Sequence, residues 1–103
     1  MLSPFITSRL EEIRLLMQKH KVAKGYIFGS AVTDRFNDSS DVDILIEVDE
    51  SLDPTELGGH LWDLQFDLEK TLGRKVDLLT SRSLRNTFFI KRVNATKELV
   101  YGG

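Results

Sequence analysis

Apolar residues recur along this chain in two periods, and each change of period marks an element. Ile6, Leu10, Ile13 and Met17 are spaced four, three and four apart, which predicts a helix with one buried stripe running to about His20. Ser3 and Pro4 supply its N-cap and first-turn proline. His20 sits among Lys19, Lys21 and Lys24, where cations complement a helix C-terminus, and is expected on the surface. Gly25 to Phe28 is aromatic and β-branched enough for a first strand. Thr33 to Ser40 is polar and rich in turn formers, so it reads as a loop after a short helical turn.

Val42, Ile44, Ile46 and Val48 then alternate with Asp41, Asp43, Leu45 and Glu47. One face of this second strand is apolar, and the other opens with two carboxylates. Asp53-Pro54-Thr55-Glu56 is a helix start, Leu57, Leu61, Leu64, Leu68 and Leu72 form its stripe, and Gly73 supplies the stop. Gly58-Gly59 costs this helix about 1 kcal/mol per residue relative to alanine, so the pair marks a frayed turn or a close contact. Trp62 is expected mostly buried and His60 exposed, with lining of a site as the other reading for both. Lys75 to Thr80 is a third strand, with Val76, Leu78 and Thr80 on one side and Asp77 and Leu79 on the other. Ser83 to Val93 reads as a third helix that buries Leu84, Phe88 or Phe89, and Val93 and exposes Arg85, Lys91 and Arg92. Glu98 to Tyr101 fits a strand or a last turn equally well.

Composition narrows the chemistry. With 103 residues, the expectation is one domain, 1–103, without room for a separate substrate-handling domain. No apolar run approaches the roughly 20 residues of a membrane span and no signal-peptide pattern opens the chain, so a cytoplasmic protein is expected. The absence of cysteine removes disulfides, thiolate chemistry and Cys-type zinc sites, leaving oxygen and imidazole as metal ligands. The net charge of −2 conceals an asymmetry: residues 34–69 hold twelve acids against Arg35, and residues 74–97 hold seven bases against Asp77. Two solvated surfaces account for this, as does an acidic metal-binding wall beside a basic flank for phosphates. The overall acidity argues against direct nucleic-acid binding.

The candidate chemistry lies between the first and third strands. Asp41 and Asp43 share a strand face, and side-by-side carboxylates repel unless a cation sits between them. Asp77 is a charge inside an otherwise apolar strand, which calls for metal or for a partner such as Arg74 or Arg82. Gly29-Ser30 follows the first strand directly. A glycine there allows close backbone approach, and a helical turn after it aims N–H groups and the Ser30 hydroxyl at an anion. The spacing does not fit an EF-hand-like calcium loop, because no glycine stands at the sixth position and no closing glutamate follows at the right spacing.

Gly29-Ser30, then Ser40-Asp41-Val42-Asp43, then Asp77 within Lys75-Val-Asp-Leu-Leu79 closely resembles the pattern of the DNA polymerase beta superfamily of nucleotidyltransferases. The short length and the run Leu99-Val-Tyr101 are similar to its minimal nucleotidyltransferases (MNT). The resemblance covers residues from about 25 to 101. It implies an α+β, polymerase-beta-like nucleotidyltransferase fold, a small mixed sheet with helices packed on one face and the site on the open face. By matching positions, Asp41, Asp43 and Asp77 bind metal and are catalytic, while Gly29, Ser30 and Ser40 hold the nucleotide. Two Mg2+ ions with ATP are the implied cofactor and substrate. The chain departs from many relatives in having Thr33 and Asp34 where they carry Arg and Gly, with Arg35 displaced.

The resemblance further implies transfer of a nucleoside monophosphate, AMP from ATP, to a protein hydroxyl. Many minimal members act as antitoxins by modifying a tyrosine of a helical HEPN-family partner. Two alternatives stand beside this: a non-catalytic antitoxin or nucleotide-binding module that occludes its partner, and a small-molecule transferase of the aminoglycoside type. Tyr101 is a stacking candidate for the base and equally a core tyrosine.

Overall fold

The computed structural model describes residues 2–48, 51 and 53–102. In chain order it comprises α1 (Pro4–Lys19), β1 (Val22–Phe28), a 3-10 turn (Gly29–Val32), β2 (Val42–Val48), α2 (Pro54–Leu72), β3 (Val76–Thr80), a second 3-10 turn (Ser81–Ser83), α3 (Thr87–Thr96) and β4 (Glu98–Tyr101). The strands form one mixed sheet in the order β3-β2-β1-β4. β1 runs antiparallel to both β2 and β4, whereas β2 and β3 are parallel and are joined by α2 as a crossover. No helix among the described residues is long and apolar enough to cross a membrane.

Both long helices begin and end on the signals read from the sequence. The Ser3 hydroxyl accepts from the Ile6 N–H at 3.3 Å, and the Ser3 N–H donates to the Ala31 carbonyl at 2.8 Å, which ties the start of α1 to the turn after β1. At α2, one Asp53 oxygen accepts from the Thr55 and Glu56 N–H groups at 2.7 and 3.2 Å. Gly73 closes that helix in the left-handed region, with φ 65°. Ile6, Ile13 and Met17 of α1 and Leu64, Leu68 and Leu72 of α2 pack with Ile27, Val42, Ile44, Ile46 and Val76. These strand residues share one sheet face, so alternation places Asp41, Asp43, Leu45, Asp77 and Leu79 on the other.

On that opposite face, α3 lies against one end of the sheet: Val93 packs on Phe28 and Leu45, and the Phe89 ring meets Phe28 edge-on at 6.1 Å. Two helices therefore back the sheet, and a third forms a wall on the site face. Residues 98–101 are a strand, and Tyr101 packs at the border of the main core away from the acidic face.

Three expectations are corrected. His20 is not on the surface. It is 7 % exposed, forms the C-cap of α1, and bonds Asp67 of α2 at 3.0 Å, which satisfies a polar ring at the helix junction. Trp62 is not buried but 78 % exposed, because its position falls outside the Leu64–Leu68–Leu72 stripe. α3 starts at Thr87 rather than Ser83: Ser83 instead bonds the Thr80 backbone at its N–H and carbonyl, while Asn86 caps the helix through Phe89 N–H. Phe88 and Phe89 consequently remain exposed, and only Val93 of α3 is fully buried.

Candidate active site

Asp43 is the centre of the acidic face. It pairs in register with Phe28 of β1 on one side and Asp77 of β3 on the other. Its carboxyl hydrogen-bonds Asp77, and its pKa is pushed up to about 6, first by burial, then by the Asp77 charge and hydrogen bond, and last by the Asp41 charge. Asp41 is exposed and outside the lining of the clefts at Asp43, and Asp77 is half-buried. The pairing of Asp77 with Arg74 or Arg82 does not occur among the described contacts. Arg74 instead lies over the rings of Phe5 and Phe36, at 4.5 and 4.4 Å, and donates to the carbonyls of Asn37 and Ser40 at 2.7 and 3.0 Å. It thereby fastens the loop that delivers Asp41.

Gly29 follows β1 with φ 74°. A Cβ at this position would collide with an Asp43 carboxylate oxygen, so backbone angle and space both require glycine. The turn at Gly29 opens a cleft of about 660 Å3 lined by Phe28, Gly29, Ser30, Arg35, Asp43, Phe89 and Arg92 among others. Gly29, Ser30 and Asp43 are therefore brought together as expected. Ser40 stays in the loop, where its hydroxyl accepts from the Asn37 N–H at 3.0 Å. Arg35, displaced in sequence, does reach the cleft. Arg92 was missed as a site residue, and the signal was the spacing of Phe89, Arg92, Val93 and Thr96, which all line the cleft from one side of α3.

The donor set fits a hard divalent cation: only oxygens are offered, and one carboxyl keeps its proton at a pH where a nearby cation would release it. Among the described residues no three acidic or imidazole side chains converge into a ready-made cage. Asp43 and Asp77 form a close pair with Asp41 beside it, an arrangement that leaves coordination positions for phosphate and water.

The chain resembles known proteins over most of its length. Residues 11–103 match the family "Polymerase beta, Nucleotidyltransferase", and the chain belongs to that family of nucleotidyltransferases. A relative in Methanocaldococcus jannaschii, provisionally named a protein adenylyltransferase, is 35% identical over 88 residues, covering 85% of this chain and 84% of its own. In a solved toxin–antitoxin structure with AMP-PNP, a chain 26% identical superposes with a TM-score of 0.73 over 91% of this chain and 73% of that one. A chain from the complex of the tri-AMPylated HEPN toxin of Shewanella oneidensis with its MNT antitoxin shares the fold, at 24% identity and a TM-score of 0.68, covering 94% of this chain and 72% of that one.

Proposed function

We propose that this nucleotidyltransferase moves AMP from ATP to a hydroxyl of a HEPN-family partner protein and acts as the antitoxin of that pair. The observation that carries the reading is the Asp43–Asp77 carboxyl pair placed against the Gly29-Ser30 turn, with a cleft on the turn side carrying Arg35 and Arg92. The relative named a protein adenylyltransferase and the neighbour from a toxin–antitoxin structure with AMP-PNP support ATP as the donor and AMP as the transferred group.

Gly29 lets the backbone approach the triphosphate, and the Ser30 hydroxyl donates to a phosphate oxygen. Arg35 and Arg92 both line the cleft and offset the phosphate charge. Asp41, Asp43 and Asp77 would hold two Mg2+ ions, which supply charge for the phosphates and acidify the attacking hydroxyl. Asp77 orients that hydroxyl and takes its proton. The hydroxyl oxygen bonds to the α-phosphorus, the bond from that phosphorus to the β-phosphate bridge breaks, and pyrophosphate leaves with the electron pair.

Intact-mass measurement of the partner after incubation with this chain, ATP and Mg2+ tests the proposal. The expected result is one or more added AMP masses, lost when Asp41→Ala and Asp43→Ala are combined. Neutralisation of the partner without a mass change overturns the enzymatic reading in favour of occlusion.

A further inference from the structure

β3 is one of the two edge strands of the sheet, and its outward backbone groups are almost all covered by the chain itself. Val42 N–H donates to Lys75 carbonyl, so in this parallel pair residues 75, 77 and 79 turn their backbone toward β2, and 76, 78 and 80 turn outward. At Val76 the N–H donates to Glu69 and the carbonyl accepts from Gln65, both of α2, at 2.9 and 3.0 Å. At Thr80 the N–H and carbonyl are both engaged by the Ser83 hydroxyl. Between them, nothing among the described residues pairs with the outward N–H and carbonyl of Leu78. The edge is closed against long strand pairing and open at one residue, the neighbour of Asp77.

A second cleft, of about 470 Å3, opens at this point and is lined by Phe28, Asp43, Gln65, Asp77, Leu78, Leu79 and Phe89. It shares Phe28, Asp43 and Phe89 with the cleft at Gly29-Ser30, so Asp43 stands between a cavity that carries Arg35 and Arg92 beside Asp34 and one that carries Leu78 and Leu79 beside Asp77. Gln65 also borders a groove with Trp62, Phe66 and Glu69. Trp62 and Phe66, one turn apart on α2, are 78 % and 64 % exposed. One turn before Trp62, Gly58 and Gly59 are exposed, and a Cβ at either would meet nothing within 4 Å. Packing inside the chain therefore gives no reason for two glycines within a helix, where each is unfavourable. Backbone laid bare beside exposed aromatics suits the close approach of another protein.

We infer that Gly58, Gly59, Trp62, Gln65 and Phe66, with the Leu78 backbone, form the docking surface for the acceptor protein. The occupant is an extended segment that carries the acceptor hydroxyl. It sets an apolar side chain on Trp62 and Phe66, pairs once with Leu78, and thereby delivers its hydroxyl to Asp77. Exposed Asp63 beside this surface, together with Asp77, favours a segment with basic residues. The inference rests on the proposed function for the identity of the acceptor.

Trp62 is the chain's single tryptophan, which gives a direct probe. The chain is prepared with 5-fluorotryptophan and titrated with the HEPN-family protein, while sedimentation reports complex formation and intact mass reports AMP transfer. The expected result is a shifted fluorine resonance in the complex and slowed exchange of the Leu78 amide. Trp62→Ser and Phe66→Ser are expected to raise KM for the protein acceptor at least tenfold and leave KM for ATP unchanged. Leu15→Ser, which removes an equally exposed apolar residue on α1 (60 % exposed), is expected to change neither. A complex or AMP transfer with an unmoved resonance and unaltered KM overturns the docking surface alone. Absence of any complex overturns the choice of acceptor, and with it the proposed function.

Discussion

Asp43 and Asp77 are Cα partners in the parallel pairing of β2 with β3, and their carboxyls hydrogen-bond across it. Burial first, and then the charge and hydrogen bond of the paired Asp77, push the Asp43 pKa up to about 6 against an ordinary 3.8. Because the folded value is the higher one, Asp43 favours folding at pH below its unfolded pKa. That contribution is lost as pH rises through about 6. Asp43→Asn is expected to stabilise the metal-free protein at pH 8 by about 1–2 kcal/mol, discounted for partial solvent screening, and to have little effect at pH 4. Urea denaturation at the two pH values in EDTA measures it. Equal gains at both would show that ionisation of the buried Asp43 is not the cause.

The same carboxyl pair predicts how ligands act on stability. Mg2+ alone is expected to shift Tm little, because no complete cage is present among the described residues. Mg2+ with a non-hydrolysable ATP analogue, whose phosphates complete the coordination, is expected to raise Tm by several degrees. EDTA reverses the shift. A thermal scan in which both ligands together leave Tm unchanged removes the metal role given to these aspartates.

Gly29 is constrained twice, by φ 74° and by the Asp43 oxygen where a Cβ would stand. Gly29→Ala is expected to cost roughly 1–3 kcal/mol in stability and to abolish nucleotide binding. In the Asp43→Ala background the obstacle is gone while the backbone strain remains, so the cost should fall by about half. A double-mutant cycle by chemical denaturation gives the coupling directly; additive effects would mean that the carboxylate yields freely.

Much of this site could be read in the sequence because it depends on period-two strands and local turns. Asp41 and Asp43 precede apolar alternation, and Asp77 interrupts it, so both placements follow from side-chain direction alone. The helix caps at Ser3 and Asp53 were equally local. His20, Trp62 and Arg92 were not legible, since each is decided by a neighbour distant in the chain. His20 is buried because Asp67, 47 residues away, receives it. Trp62 is exposed because α2 turns Leu64 and Leu68 to the sheet, and Arg92 reaches the cleft because Val93 anchors α3 on Phe28. Arg74 shows the same limit: its guanidinium is claimed by Phe5, Phe36 and the Asn37–Ser40 loop, not by the nearby Asp77.

Arg35 and Arg92 line the cleft beside Ser30, one from the loop and one from α3. If they carry the phosphate charge left uncovered by Thr33 and Asp34, Arg92→Ala and Arg35→Ala should each raise KM for ATP tenfold or more. The charge-assisted hydrogen bonds at stake are worth about 1.5–3 kcal/mol each. Lys at position 92 should recover only part of the loss, because it lacks the forked geometry. Steady-state kinetics with ATP varied, at saturating acceptor, is the measurement. An unchanged KM in both variants would assign the phosphates to the Gly29-Ser30 turn alone.

Gly58 and Gly59 separate the stability of the chain from its use. Both lie inside α2 with open space where a side chain would stand, so alanine fits without strain. Gly58→Ala and Gly59→Ala should each stabilise the isolated protein by about 0.5–1 kcal/mol through helix propensity. If a partner packs on this backbone, the same changes should weaken its binding, since a methyl group intrudes into the contact. Chemical denaturation of the free chain and calorimetric titration of the complex give the two numbers. Opposite signs, a more stable chain that binds less well, are the expected outcome. A gain in stability with binding unchanged would leave the glycines without an intermolecular role and remove the N-terminal part of the docking surface.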